Sequence, residues 1–169
     1  MSPAKGFNLE LRKACIDNDT SEVRRLLAER PDALGMMTPF GTWLHIAAGA
    51  GALEVVSLLL DLGLNPNTQG GTFQANSLHE AARGGHLGVM AALHKAGAVL
   101  DTSEPERNPL FGAIYGGHME AVKWLVTNGI DLGATYTGKS MKGMDALAFA
   151  RERGYPAITN YLQEAKNAV

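Results

Sequence analysis

Cysteine is almost missing from this chain: Cys15 stands alone, so no internal disulfide can hold the fold together. Long apolar runs are missing as well. None approaches the ~20 residues that a bilayer-spanning helix requires, and the opening residues, MSPAKGFNLELRK, lack the apolar stretch of a secretory leader. Neither sign of charge dominates: 15 Lys and Arg against 17 Asp and Glu leave a formal net charge of −2. That balance offers no concentrated basic surface of the kind nucleic-acid binding depends on. These gaps together lead to the expectation of a cytoplasmic protein with neither a membrane nor a nucleic acid as partner. Cys15 is then a small buried residue rather than a nucleophile. With 46% hydrophobic and 19% charged residues over 169 positions, the composition is that of a folded chain rather than a disordered one.

Glycine is what the chain does have, 20 of them, and several fall at regular intervals. The stretch from Thr42 to Asn67, TWLHIAAGAGALEVVSLLLDLGLNPN, reads as a helix, a tight turn, a second helix and an exit turn. Aligning the chain with itself puts His45 (TWLH) over His79 (NSLH), Phe111 (NPLF) and Ala148 (DALA), with Arg12 (LELR) upstream; the intervals are 33, 34, 32 and 37 residues. Six places further on stand Asn18, Gly51, Gly85, Gly117 and Gly154 in the same register. Thr42, Asn76, Asn108 and Asp145 precede the first helix of their units, where a side-chain oxygen can cap free N–H groups. Pro109 sits at a first helical position, where its missing N–H costs nothing. Leu44, Ala47 and Ala48, like Leu78, Ala81 and Ala82, share one helical face. The second helices carry larger apolar residues, among them Val55, Val56, Leu59 and Leu60. No unit can bury its apolar stripe alone, so the units must stack into a solenoid.

A period near 33 with the TWLH and NSLH signatures resembles the ankyrin repeat. The resemblance covers roughly Leu9 to Leu162 and implies an all-α solenoid of helix-turn-helix units with β-turn or loop tips. The expected organisation is one domain over 1–169, with repeats near 9–34, 42–67, 76–101, 108–133 and 145–169. The first repeat, charged over its surface, and the fifth, with a polar last helix, would cap the two ends. Residues 1–7 are expected to be a loosely held lead-in. In this family the signature histidine bonds to backbone and ties successive turns, which would occupy His45 and His79. His86 and His118 follow the turn glycine, another scaffold position, and no carboxylate or cysteine completes a metal-like set.

One motif points elsewhere. Gly133 to Ser140, GATYTGKS, matches the G-x-x-x-x-G-K-S pattern of a phosphate-binding loop. That chemistry needs a buried strand leading in and a helix starting at the Lys-Ser, so that backbone N–H groups face the phosphates. Here a second helix precedes the motif and the next helix starts only after Asp145, so the expected element is a surface loop. The competing reading from another class is a nucleotide-handling enzyme using Lys139. Nothing else assembles a catalytic pair: Ser77 and His79 lie on one helix and point apart. A non-enzyme with no cofactor and no metal is the expectation.

What remains are residues the scaffold does not dictate. Ankyrin proteins bind other proteins through the turn tips and the inner face of the first helices, and the resemblance carries that role to matching positions. The tip candidates are Met36, Met37, Phe40, Phe73, Gln74, Arg107, Tyr136, Lys139 and Lys142. The first-helix candidates are Trp43, which replaces the usual proline, with Glu80, Arg83, Phe111, Tyr115 and Arg153. Aromatic, Met and Arg residues are those enriched at interfaces. The expected function is therefore a non-catalytic module, monomeric when free, that binds another protein by rigid surface complementarity. The compact arrangement, ending TYTGKSMKGMDALAFARERG, also resembles small bacterial ankyrin proteins that accompany secreted toxins as immunity proteins. That resemblance implies a cognate toxin or effector as partner; a scaffold or regulatory adaptor with several partners is the alternative.

Overall fold

A computed structural model describes residues 3–138 and 142–168. Among them the chain forms five successive helix-turn-helix pairs: α1 (Pro3–Ile16) with α2 (Thr20–Glu29), α3 (Trp43–Ala50) with α4 (Leu53–Asp61), α5 (Ser77–Arg83) with α6 (Leu87–Lys95), α7 (Pro109–Tyr115) with α8 (Met119–Thr127), and α9 (Ala146–Glu152) with α10 (Pro156–Asn167). The first helices pack side by side in one row and the second helices in another. One hydrophobic cluster runs the length of the stack from Leu11 to Leu162. β-structure among the described residues consists of the isolated bridges Thr38–Gly41, Gly70–Ala75 and Tyr136–Met144, each closing a tip between repeats. No helix among them is long and apolar enough to cross a membrane.

The caps account for where the first helices begin. Asn76, Asn108 and Asp145 accept backbone N–H bonds from His79, Leu110 and Ala148 at 3.2, 2.8 and 2.8 Å. Thr42 instead forms a reciprocal pair with the His45 ring: its hydroxyl lies 2.8 Å from Nδ1, and its backbone N–H donates to Nδ1 at 3.2 Å. The turn after the first helix needs a left-handed residue, and Gly51, Gly85 and Gly117 supply it with φ of 75°, 71° and 71°. In the first repeat Asn18 takes the same conformation, φ 59°, a position Asn tolerates better than most residues. Its amide is put to use, since Oδ1 accepts from Val55 N–H at 3.0 Å and ties α4 to the first repeat.

Glycine is required at these turns for a second reason. The His86 ring lies across Gly51 and the His118 ring across Gly85, so closely that a Cβ on either glycine would come within 2.6 Å of the ring. His86 Nε2 also donates to the Gly49 carbonyl at 3.2 Å. Each histidine thus clamps its repeat onto the one before.

The start of the chain differs from expectation. From Pro3 the lead-in is already helical and continuous with α1. Phe7 packs against the core cluster and beneath the Arg30 guanidinium, 5.1 Å from its ring centre. An apolar anchor four residues before Leu11 extends the buried face of α1 by one turn.

Candidate protein-binding groove

The tips fold toward the row of first helices, and between them lie two adjoining hollows. One, of about 290 Å³, is bounded by α1, α3 and the tips bearing Phe40 and Phe73, with Ile16, Ile46 and Glu80 in its walls. The other, of about 210 Å³, lies between α5, α7 and α9, and its walls include Phe73, Phe111, Tyr115 and Phe149. Phe73 and Arg83 belong to both and form the ridge between them.

Exposed rings along this face carry guanidinium groups. Arg12 lies 4.9 Å from the Phe40 ring centre, Arg83 lies 6.0 Å from Phe73, and Arg153 lies 4.6 Å from Tyr115. Phe40 and Tyr115 are 56% and 54% exposed, values that set them apart from the core rings. A guanidinium on an aromatic face keeps its N–H edges available for donation, and the pair presents a flat amphipathic surface with few free torsions. Arg83 is further held by Glu80 at 3.0 Å. Met37 is exposed, as are Gln74 and Lys142, whereas Met36, Glu80 and Arg107 are half-buried. Gln74 is a turn residue: φ is 48°, and its Nε2 donates to the Gly71 carbonyl at 3.0 Å.

Three residues expected at a partner surface are buried instead. Trp43 is 1% exposed; its indole fills the core behind the Pro31–Gly41 connection, and its Nε1 donates to the Ala33 carbonyl at 2.7 Å. Phe111 stacks on Phe149 with ring centres 4.8 Å apart and meets the Tyr136 ring edge-on at 5.2 Å, so that only its rim reaches the smaller hollow. Tyr136 turns inward because its hydroxyl has two polar partners there: it accepts from Asn108 Nδ2 at 2.9 Å and donates to the Thr102 carbonyl at 2.8 Å. Lys139 lies outside the described residues.

Several groove residues were not singled out by the repeat pattern alone. Phe149 is one place beyond the signature register, equivalent to Ile46, Glu80 and Gly112. Choosing Glu80 for its inward-facing register would equally have selected Ile46 and Phe149. Arg12 stands at the signature register, equivalent to His45 and Phe111, but its contact with Phe40 of the following connection is visible only in the fold.

The loop that matches the phosphate-binding pattern is built differently where it is described. It leaves α8 rather than a strand, and its amides are engaged: Gly133 N–H donates to Asp131 Oδ1 at 2.7 Å, and Tyr136 N–H donates to the Met144 carbonyl at 2.9 Å. Ser140, like Lys139, lies outside the described residues. Elsewhere, burial pushes the Cys15 thiol up to about 12, which keeps it protonated and unreactive. Burial also lowers the pKa of His45 and His79, so both rings are neutral near pH 7. Among the described residues no three His, Cys, Asp or Glu side chains gather as metal ligands would.

Comparison with known proteins places the chain. The family profile described as ankyrin repeats (3 copies) matches residues 11–103 and again 78–168. The chain belongs to the ankyrin-repeat family. It is 31% identical over 121 residues to cyclin-dependent kinase 4 inhibitor B of Bos taurus, covering 71% of this chain and 92% of that protein. A putative E3 ubiquitin-protein ligase, XBAT31, of Arabidopsis thaliana is 32% identical over 113 residues, 64% of this chain. The match spans a quarter of that relative's length, 25%. A Caenorhabditis elegans homolog of transient receptor potential cation channel subfamily A member 1 is 28% identical over 91% of this chain but 12% of its own.

Proposed function

We propose that this protein is a non-catalytic module that binds another protein through the groove between its tips and its first helices. The observation that carries the reading is the line of exposed rings, Phe40, Phe73 and Tyr115, each paired with a guanidinium beside an open hollow. Such rings bury large area on binding while losing few torsions, and the groove needs little ordering because it is built on packed helices. The bovine relative matched over 92% of its length is named as an inhibitor of a kinase, which supports a chain of this size and architecture acting by occupying a partner's surface. The narrower form of the proposal is an immunity protein that neutralises a cognate toxin by direct binding in the cytoplasm of the producing cell. The groove's mixed charge and rigid walls suit a dedicated complex better than a set of loosely held partners.

The test is affinity capture from native lysate with the wild-type chain and with the Arg83→Ala, Tyr115→Ala double variant. A stoichiometric partner lost in the variant supports the groove, and toxicity of that partner expressed alone supports the immunity role. Retention of the partner by the double variant would place binding on another face. Adding ATP and following the melting temperature tests the competing enzyme class, since a ligand of the native state must raise it.

A further inference from the structure

The smaller hollow holds a polar atom that the repeat leaves without a partner. His79 is 4% exposed, yet its Nδ1 has no hydrogen bond among the described residues. The cause is visible by comparing repeats. His45 uses its Nδ1 on the Thr42 hydroxyl and N–H, and its Nε2 donates to the Ala75 carbonyl at 3.0 Å. One repeat later Asn76 stands in place of Thr42, and its two side-chain atoms are already engaged. Oδ1 takes the backbone N–H of His79, and Nδ2 donates to the Val99 carbonyl at 2.9 Å. The Asn76 side chain therefore cannot serve His79 Nδ1 as the Thr42 hydroxyl serves His45.

His79 and Gly112 both line the hollow. The ring edge carrying Cε1 and Nδ1 faces Gly112, where an added Cβ would come within 3.2 Å of Cε1 and 3.4 Å of Nδ1. Phe73 covers the imidazole from the tip side with ring centres 5.5 Å apart and is 36% exposed. Phe111, Tyr115 and Phe149 supply the aromatic walls, and Arg83, Pro105 and Glu106 complete the rim. A dry cavity of ~150 Å³ admits a benzene ring, so a hollow of about 210 Å³ has room for one ring with a substituent. Arg107 precedes the Asn108 cap as Ala75 precedes Asn76, and the Ala75 carbonyl accepts from His45 Nε2. Burial keeps the His79 imidazole neutral, and with its proton on Nε2 as in His45, Nδ1 offers a lone pair and calls for a donor.

We propose that this hollow is the anchor pocket of the groove and receives a tyrosine side chain of the partner protein, its ring between Phe149, Tyr115 and Phe73 and its hydroxyl donating to His79 Nδ1. The inference rests on the groove being the binding face. It deepens that reading by naming the chemistry the partner presents. Phenylalanine would fill the walls and leave Nδ1 unpaired, which is how the site discriminates between the two.

The experiment titrates p-cresol and, separately, toluene into the isotopically labelled full chain and follows the His79 ring and Gly112 amide resonances. Saturable p-cresol binding is expected, about three- to tenfold tighter than toluene, the factor that one net hydrogen bond supplies. Gly112→Ala should abolish it by filling the floor. Should that variant fail to fold, Phe149→Ala removes a wall and is expected to weaken p-cresol at least about fivefold. Equal affinity for the two rings would overturn the tyrosine assignment, and no saturable binding of either would overturn the pocket. Failure here is separable from failure of the groove itself: a captured partner that still depends on Phe40 and Arg12 would leave the groove standing with its anchor in the larger hollow.

Discussion

Replacing Tyr136 by Phe removes a single oxygen that bridges two parts of the chain. The hydroxyl accepts from Asn108 Nδ2 at 2.9 Å and donates to the Thr102 carbonyl at 2.8 Å, joining the long loop before α9 to the cap of α7. Asn108 is 1% exposed, so its amide N–H would be stranded away from water. An unsatisfied buried donor costs about 1–3 kcal/mol. The Thr102 carbonyl, half-exposed, can turn to solvent and adds little. The ring stays, and with it the edge-on contact to Phe111. The expected loss is therefore about 1–3 kcal/mol, read as a lower urea midpoint with an unchanged denaturant slope. Asn108→Ala should cost more, because it also removes the cap on Leu110 N–H. The two changes together should fall short of additivity by at least about 1 kcal/mol, as expected for groups sharing one bond. A loss below about 0.5 kcal/mol for Tyr136→Phe, or full additivity, would refute the bridge and return Tyr136 to the surface.

Two further predictions concern stability. Leu59→Ala, at a fully buried position on α4, should cost about 2–5 kcal/mol by opening a cavity, whereas Tyr115→Ala on the exposed groove should stay within about 1 kcal/mol; comparable losses in urea melts would mean that Tyr115 belongs to the core. Acid should destabilise the fold early. Burial holds His45 and His79 below the ordinary 6.5, so the unfolded chain binds more protons and stability falls as pH drops through 6.5. Carboxylates held low, such as Glu54 hydrogen-bonded by Asn18, add to the loss only below their ordinary 4.5. Melting temperature should therefore decline between pH 7.5 and 5.5, and a flat or rising profile over that interval would contradict the buried, neutral histidines.

The scaffold was legible because its signals are local. A cap residue, a left-handed glycine and an apolar spacing each act within a few positions, so Thr42, Gly51 and the Leu44, Ala47 and Ala48 face could be read from the chain itself. Which aromatics face the partner was much less legible. Trp43, Phe111 and Tyr136 are hidden by atoms from other segments: the Ala33 carbonyl, the Phe149 ring and the Asn108 amide. Phe40, Phe73 and Tyr115 meet guanidinium groups yet stay exposed. Residues 3–7, expected as a loosely held lead-in from their position at the terminus, are helical because proline is well placed at a helix start and Phe7 has the core cluster to pack against. The unpaired His79 nitrogen is a subtler case. The exchange of Thr42 for Asn76 is plain in the alignment of repeats, but only the packed structure shows both Asn76 side-chain atoms engaged elsewhere.

The most direct test of the account is backbone hydrogen exchange of the chain with and without its captured partner. If the groove is the binding face, complex formation slows exchange in the tips around Phe40, Phe73 and Arg107 and in α3, α5 and α7, while α4, α6 and α8 are unchanged. Protection confined to α4, α6 and α8, with the tips exchanging as in the free protein, would show that the partner sits on the opposite face and would overturn the proposed function.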